Sequence, residues 1–179
     1  MIKKIIILTL SLLPLMCIAQ SDTHPVMMQM RNGKIYFDNT YALDPLLKKG
    51  ELFDRAVDWL KSAFEGPEKS IDIIDAKKGE VSGTGIFKIV TSSAGHYYRL
   101  KFAVNIVVHD ATYEVKVFDF YEKPIEPGIS NEYSKIEYRW WDYRQGKPWS
   151  AEDKRLFTGI DKNIKEMLAS LEGVMAEVK

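Results

Sequence analysis

Between Tyr133 and Trp149 the chain concentrates Tyr133, Tyr138, Trp140, Trp141, Tyr143 and Trp149, with Arg139 and Arg144 among them. Three of the four tryptophans of the 179 residues fall in this stretch. Trp, Tyr and Arg dominate binding hot spots, because they bury large areas at small entropic cost and keep a polar handle. Their rings also stack on sugars or cations. The chemistry on offer is recognition, and Tyr138, Arg139, Trp140, Trp141, Tyr143, Arg144 and Trp149 form the expected ligand-binding set. The competing reading folds Ile136, Tyr138 and Trp140 onto the core as an extra strand, with Arg139 and Trp141 covering the sheet.

Catalytic patterns are weaker. His24, His96 and His109 stand in separate turns or arms with no His-x-His or His-Glu-x-x-His spacing, so neither a metal site nor a cofactor is expected. Ser92-Ser93-Ala94-Gly95-His96 lacks the Gly-x-Ser-x-Gly elbow that exposes a nucleophile. Gly79-Glu80-Val81-Ser82-Gly83-Thr84-Gly85 lacks the Gly-Lys-Ser/Thr ending of a phosphate loop and reads as hairpin glycine. Asp72, Asp75 and Glu80 could supply a glycosidase pair only if two of them faced each other across a cleft, which spacing along strands does not establish. The expectation is a non-enzymatic domain. A glycan- or peptide-directed hydrolase and a structural module of an envelope assembly are the alternatives.

Lys and Arg number 25, as do Asp and Glu. No whole-molecule field therefore draws the chain to nucleic acid or anionic lipid. Lys3 and Lys4, the apolar stretch Ile5 to Met16, and Cys17-Ile18-Ala19 read as a signal peptide over residues 1–19, too short for a spanning helix, which needs about 20 apolar residues. Export to the periplasm or beyond is expected, with no transmembrane segment in the mature chain. The competing reading anchors a lipoprotein through Cys17, although Met16 stands where a small residue normally precedes a lipidated cysteine. Cleavage removes two lysines and the only cysteine, so the mature chain is slightly acidic and relies on core burial instead of disulfides.

These residues need a scaffold. Residues 20–33 read as a flexible arm, and Lys34 to Asp38 as a first strand. Glu51 to Glu65 places Leu52, Ala56, Trp59, Leu60 and Ala63 on one helical face, widened by Phe53, Val57 and Phe64. From Ser70 the period falls to two. Ile71 and Ile73 alternate, then Val81 to Ile89 with glycines that suggest a bulge or a close backbone approach. Tyr98, Leu100, Phe102, Val104, Ile106 and Val108 make the strongest strand, and Tyr113, Val115 and Val117 its partner. At Phe118 to Tyr121 the phase drifts as at a bulge. Pro124 and Pro127-Gly128 then break the sheet, and Glu122 to Ser150 reads as a long connection with only Ile136 to Tyr143 extended. Ser150 caps a terminal helix whose stripe is Leu156, Ile160, Ile164, Met167, Leu168 and Leu171. The order β-α-β-β-β-β-α implies an α+β two-layer sandwich over residues 34–179, an antiparallel sheet with both helices on one face. The other face stays open and carries Tyr97, Arg99, Lys101, Asn105 and His109, with Thr112, Glu114 and Lys116 beside them.

This order, with LFDRAVDWL (Leu52–Leu60) on the first helix and VNIVVHDATYEVKVFDF (Val104–Phe120) as a hairpin, resembles an uncharacterised secreted domain family of Bacteroidetes-type bacteria with a TATA-binding-protein-like (TBP-like) fold. The most specific pieces are Asp54-Arg55-Ala56 with Trp59-Leu60, and His109-Asp110-Ala111-Thr112-Tyr113, where relatives tend to carry a Lys-Asp-Gly type turn. The resemblance implies the fold and the compartment but no activity. A protein or small-molecule ligand, held by the open sheet face and the aromatic connection, is the expected partner.

Overall fold

A computed structural model describes residues 26–64, 66, 68–126, 128 and 132–177. The expected signal peptide over 1–19 and the start of the arm lie outside the described residues. From Val26 the expected arm packs on the body: Met28 is buried and Met30 lies against the core. Here β1 (Met30–Arg31) and β2 (Lys34–Ile35) form a ribbon around Asn32 (φ 53°) and Gly33 (φ 76°). Asn-Gly with two positive φ values is the turn that matches strand twist.

The main sheet runs β3 (Phe37–Ala42), β7 (Thr112–Ile125), β6 (Tyr97–Val108), β5 (Glu80–Val90) and β4 (Ser70–Asp75), all antiparallel, and β8 (Ser134–Lys135) adds to β7 at Tyr121 and Glu122. Every second residue of β6 from Tyr98 to Val108 is buried. A chain of rings, Phe64, Phe87, Phe102, Phe120 and Phe37, crosses this inner face with neighbouring centroids 4.9–6.0 Å apart. The phase drift in β7 is a bulge. Asp119 takes φ 54° and is exposed, so burial passes from Tyr113, Val115 and Val117 to Phe120 and Glu122.

Two long helices, α1 (Lys49–Ser62) and α3 (Ala151–Ala176), cover the inner face. Ser150 and Asp153 form a reciprocal capping box at the start of α3, and its whole expected stripe is buried. Trp59 Nε1 donates to Ser170 Oγ at 3.2 Å, joining the two helices. Arg55 donates to the carbonyls of Val174, Met175 and Glu177, the acceptors a helix leaves free at its C-terminal end. Asp54-Arg55-Ala56 is therefore a tie between helices. The expected glycine contacts also occur: a Cβ on Gly83 would stand 2.3 Å from the Ser70 carbonyl oxygen, and one on Gly85 2.6 Å from the Phe102 ring.

Three expectations need correction. Pro124 does not break the sheet, because β7 continues to Ile125 opposite Tyr97, and among the described residues no strand pairs with its other side beyond Glu122, as at an edge where a proline is tolerated. Ile136 to Tyr143 is not extended: α2 (Glu137–Arg144) is a third helix, placing Ile136, Arg139, Trp140 and Tyr143 on one inward face by helical spacing. Ile71 and Ile73, expected to alternate along one strand, sit on the edge strand β4, where a register shift between them breaks the alternation and both are exposed. At the β6–β7 turn, Ala111 adopts φ 60°, the conformation glycine takes more cheaply.

Candidate functional site

The expected site residues divide between the two faces of the sheet. On the helix side, Trp149 is buried against Phe157 at 4.8 Å between centroids and Trp140 packs on both. Tyr143 closes edge-on over Trp149 at 5.6 Å. These three rings cover the start of α3; of the residues the core reading folds inward as a strand, Ile136 and Trp140 are inward and Tyr138 is not. Tyr138 and Trp141 remain 62% exposed, three residues apart on the outer side of α2. With Arg144, Met30 and Gly33 they border a groove of about 330 Å³ against the β1–β2 turn.

Arg139 is bound within the fold. Its Nε lies 2.7 Å from both carboxylate oxygens of Glu122, Nη2 donates to the Tyr98 hydroxyl at 2.9 Å, and Nη1 pairs with Asp153. Burial pushes the Glu122 carboxyl above its ordinary range despite the guanidinium beside it. Burial acts in the same direction on Asp153, but the Ser150 hydroxyl and backbone N–H, together with Arg139, outweigh it and hold that carboxyl low. Arg139 thus joins α2, β6, β7 and α3. Glu122 is the one buried carboxylate among the described residues, and it is already neutralised.

The outer face carries a different arrangement. Register places Lys88 of β5, Arg99 of β6 and Lys123 of β7 directly opposite one another in one row. The next row is Ile86, Lys101 and Tyr121, and the row on the other side is Val90, Tyr97 and Ile125. Like charges set opposite each other across strands destabilise a sheet, so this row needs compensation. One carboxylate supplies part of it. Glu68, from the segment before β4, accepts from Arg99 Nη1 at 3.0 Å and from the Tyr133 hydroxyl. That hydroxyl is the main cause holding the Glu68 carboxyl below its usual range, with Arg99 and Lys123 assisting against burial. Burial and then Glu68 push the Tyr133 phenol up. The lysines lie over rings instead: Lys88 Nζ is 4.2 Å from the Tyr97 centroid, Lys101 Nζ 4.3 Å and Lys123 Nζ 5.2 Å from Tyr133. No carboxylate lies within 4 Å of these three ammonium groups among the described residues.

Tyr97, Arg99 and Lys101 therefore meet as expected, and the structure adds Lys88, Lys123, Tyr121, Tyr133 and Glu68. Asn105 faces the same side but donates to Glu80 at 2.8 Å, two rows beyond Lys101. His96 pairs with Glu126 at 3.1 Å, while His109 and Lys116 both face Glu114. Single-strand spacing could propose Arg99 and Lys101. Adding Lys88 and Lys123 needs the register of two hairpins at once, and no local signal points to Glu68.

An antiparallel sheet with one helix-covered face and one cation-bearing face that no helix covers among the described residues defines an α+β two-layer domain. Residues 37–123 match the model of the domain of unknown function (DUF4468) with TBP-like fold. A DUF4468 family protein from Bacteroides ovatus superposes with a TM-score of 0.69 at 15% identity, covering 84% of this chain and 91% of that one. A TBP-like protein from Parabacteroides distasonis superposes with a TM-score of 0.67 at 15% identity, covering 83% and 98%. The family resemblance and the TBP-like fold both stand. No curated protein matches the chain.

Proposed function

We propose that the chain is an exported, non-catalytic binding module that takes a carboxylate-bearing ligand on the open face of its sheet. The observation that carries this reading is the row Lys88–Arg99–Lys123, with Lys101 beside it, facing a single carboxylate, Glu68, among the described residues. Glu68 supports the reading, since a carboxylate of the chain itself sits there between a guanidinium and a phenol. Tyr97, Tyr121 and Tyr133 add flat apolar surface around the charges, as in sites that fix orientation with few polar groups. Trp141 and Tyr138 remain exposed on α2 and are a smaller second surface.

Calorimetric titration of the purified chain with poly-L-glutamate, at low and raised ionic strength, tests this. Binding should weaken with salt, because exposed charges are screened beyond about 8 Å at physiological ionic strength. Lys88→Ala/Lys123→Ala should abolish it while leaving thermal unfolding nearly unchanged. Absence of binding, or equal binding by the double variant, refutes the proposal.

A further inference from the structure

The sheet is incomplete beside this face. β4 pairs with β5 only as far as Ser70 opposite Thr84, and no described residue continues the ladder along Gly85 to Val90. The hydrogen-bond alternation identifies which groups are left free. Val108 N–H donates to the Gly79 carbonyl and Thr91 N–H to the His96 carbonyl. The odd-numbered residues of β5 therefore bond to β6, and the even-numbered ones point their N–H and C=O toward the β4 side. Ile86, Lys88 and Val90 consequently have no backbone partner at the edge among the described residues, with their side chains on the cationic outer face. A groove of about 360 Å³ lies along this edge, with Phe64 and Phe87 on its apolar side and Lys88 and Arg99 on its charged side.

Resting on the reading of this face as an anion site, we propose that the ligand is an extended acidic peptide that adds as an antiparallel strand to β5 at Ile86, Lys88 and Val90. Edge addition of a peptide draws affinity from main-chain bonds and specificity from alternate side chains. The alternation is set by the groove. Residues opposite Ile86, Lys88 and Val90 share the outer face with the cation row, so acidic side chains belong there. The intervening residues face Phe64 and Phe87, so apolar side chains belong there. Glu68 supplies the internal precedent: two residues before Ser70, it approaches from the β4 side, and its carboxylate reaches Arg99.

The probe is the peptide acetyl-Val-Asp-Val-Asp-Val-Asp-amide, titrated into the whole chain while amide hydrogen exchange is followed by nuclear magnetic resonance. Slowed exchange at the Lys88 and Val90 amides supports strand addition. Methylating the Asp nitrogens, which face β5, should weaken binding about fivefold or more for each lost bond, whereas methylating the Val nitrogens should not. Val90→Pro removes one edge N–H without touching a β6 bond and should weaken the unmethylated peptide similarly. If all methylated forms bind alike, edge exchange is unchanged, and Arg99→Ala still abolishes binding, strand addition is overturned and the anion site survives. If neither the peptide nor poly-L-glutamate binds, both proposals fall. Edge amides already protected in the free protein, together with a doubled mass, would assign the edge to a second copy and overturn the peptide.

Discussion

Arg139→Ala removes the group that neutralises Glu122. The Glu122 side chain is 7% exposed and that of Arg139 23%, so the pair is largely out of water. Truncating one partner of a buried pair costs about 3–5 kcal/mol, mostly as the penalty of the charge left behind. For a domain of this size each kcal/mol moves the melting temperature by roughly 2–4 °C, so a fall of roughly 6–20 °C is expected. The pH dependence is the sharper test. Burial holds the folded Glu122 carboxyl above its ordinary value of 4.5. A carboxyl raised on folding contributes stability that is present below its unfolded value and lost as pH rises through the folded value. Without Arg139 the folded value climbs further, and more stability is lost by neutral pH. The deficit of the variant should therefore be smallest near about pH 4 and grow toward about pH 8. Asp153 acts in the same sense, because protonating it also removes a partner of Arg139. Denaturant unfolding of both proteins at several pH values measures the deficit, and adding Glu122→Gln to Arg139→Ala should recover part of it at neutral pH. A deficit independent of pH, or one below about 1 kcal/mol as for an exposed pair, would refute the reasoning.

Trp149→Ala should cost about 3–5 kcal/mol as a large-to-small change in the core, whereas Trp141→Ala should stay within about 0.5 kcal/mol; acrylamide should quench Trp141 and spare Trp149 in single-tryptophan variants. Gly85→Ala should destabilise by about 1–3 kcal/mol through overpacking against Phe102 and Phe64. Gly173→Ala on α3, where a Cβ meets nothing within 4 Å, should stabilise by about 0.4–1 kcal/mol, both read from thermal melts. Ala111→Gly relieves about 1–2 kcal/mol of left-handed strain against a smaller unfolded-state cost, so its melting temperature should rise; a fall would show that Ala111 is not strained.

The sheet and its two long helices were legible because their periods are long and unambiguous. Six alternate apolar positions in β6 admit one face, and the stripe of α3 with Ser150 before it admits one start. The drift at Phe118 to Tyr121 was readable as a bulge because an inserted residue moves every later side chain to the other face. What failed was short. Ile136 to Tyr143 satisfies a period of two through Ile136, Tyr138 and Trp140, and a helical period through Ile136, Trp140 and Tyr143. Eight residues do not separate the two, and the choice is made by burial on Phe157 and by the bonds of Arg139. Asn32-Gly33 did carry a hairpin signal, but the polar, methionine-rich surroundings hid a segment whose packing depends on the distant β7 and α2.

The site shows why composition is a poor guide to a surface. Equal numbers of acidic and basic residues argue against a long-range field, yet a ligand meets the local row and not the sum. Lys88, Arg99 and Lys123 are separated in sequence by 11 and 24 residues and become neighbours only once both hairpins have their register. That register is set on the opposite face, by Leu100, Phe102 and Phe120 packing inward, and by Gly79, which takes φ 75° at the turn entering β5. The apolar pattern therefore determines the spacing of the cations without regard to their charge. A row of like charges held in place by inward packing is an electrostatic cost to the free protein, relieved in part by Glu68 and further by any carboxylate that joins it. The same packing that makes the fold legible also stores the attraction that the ligand would release.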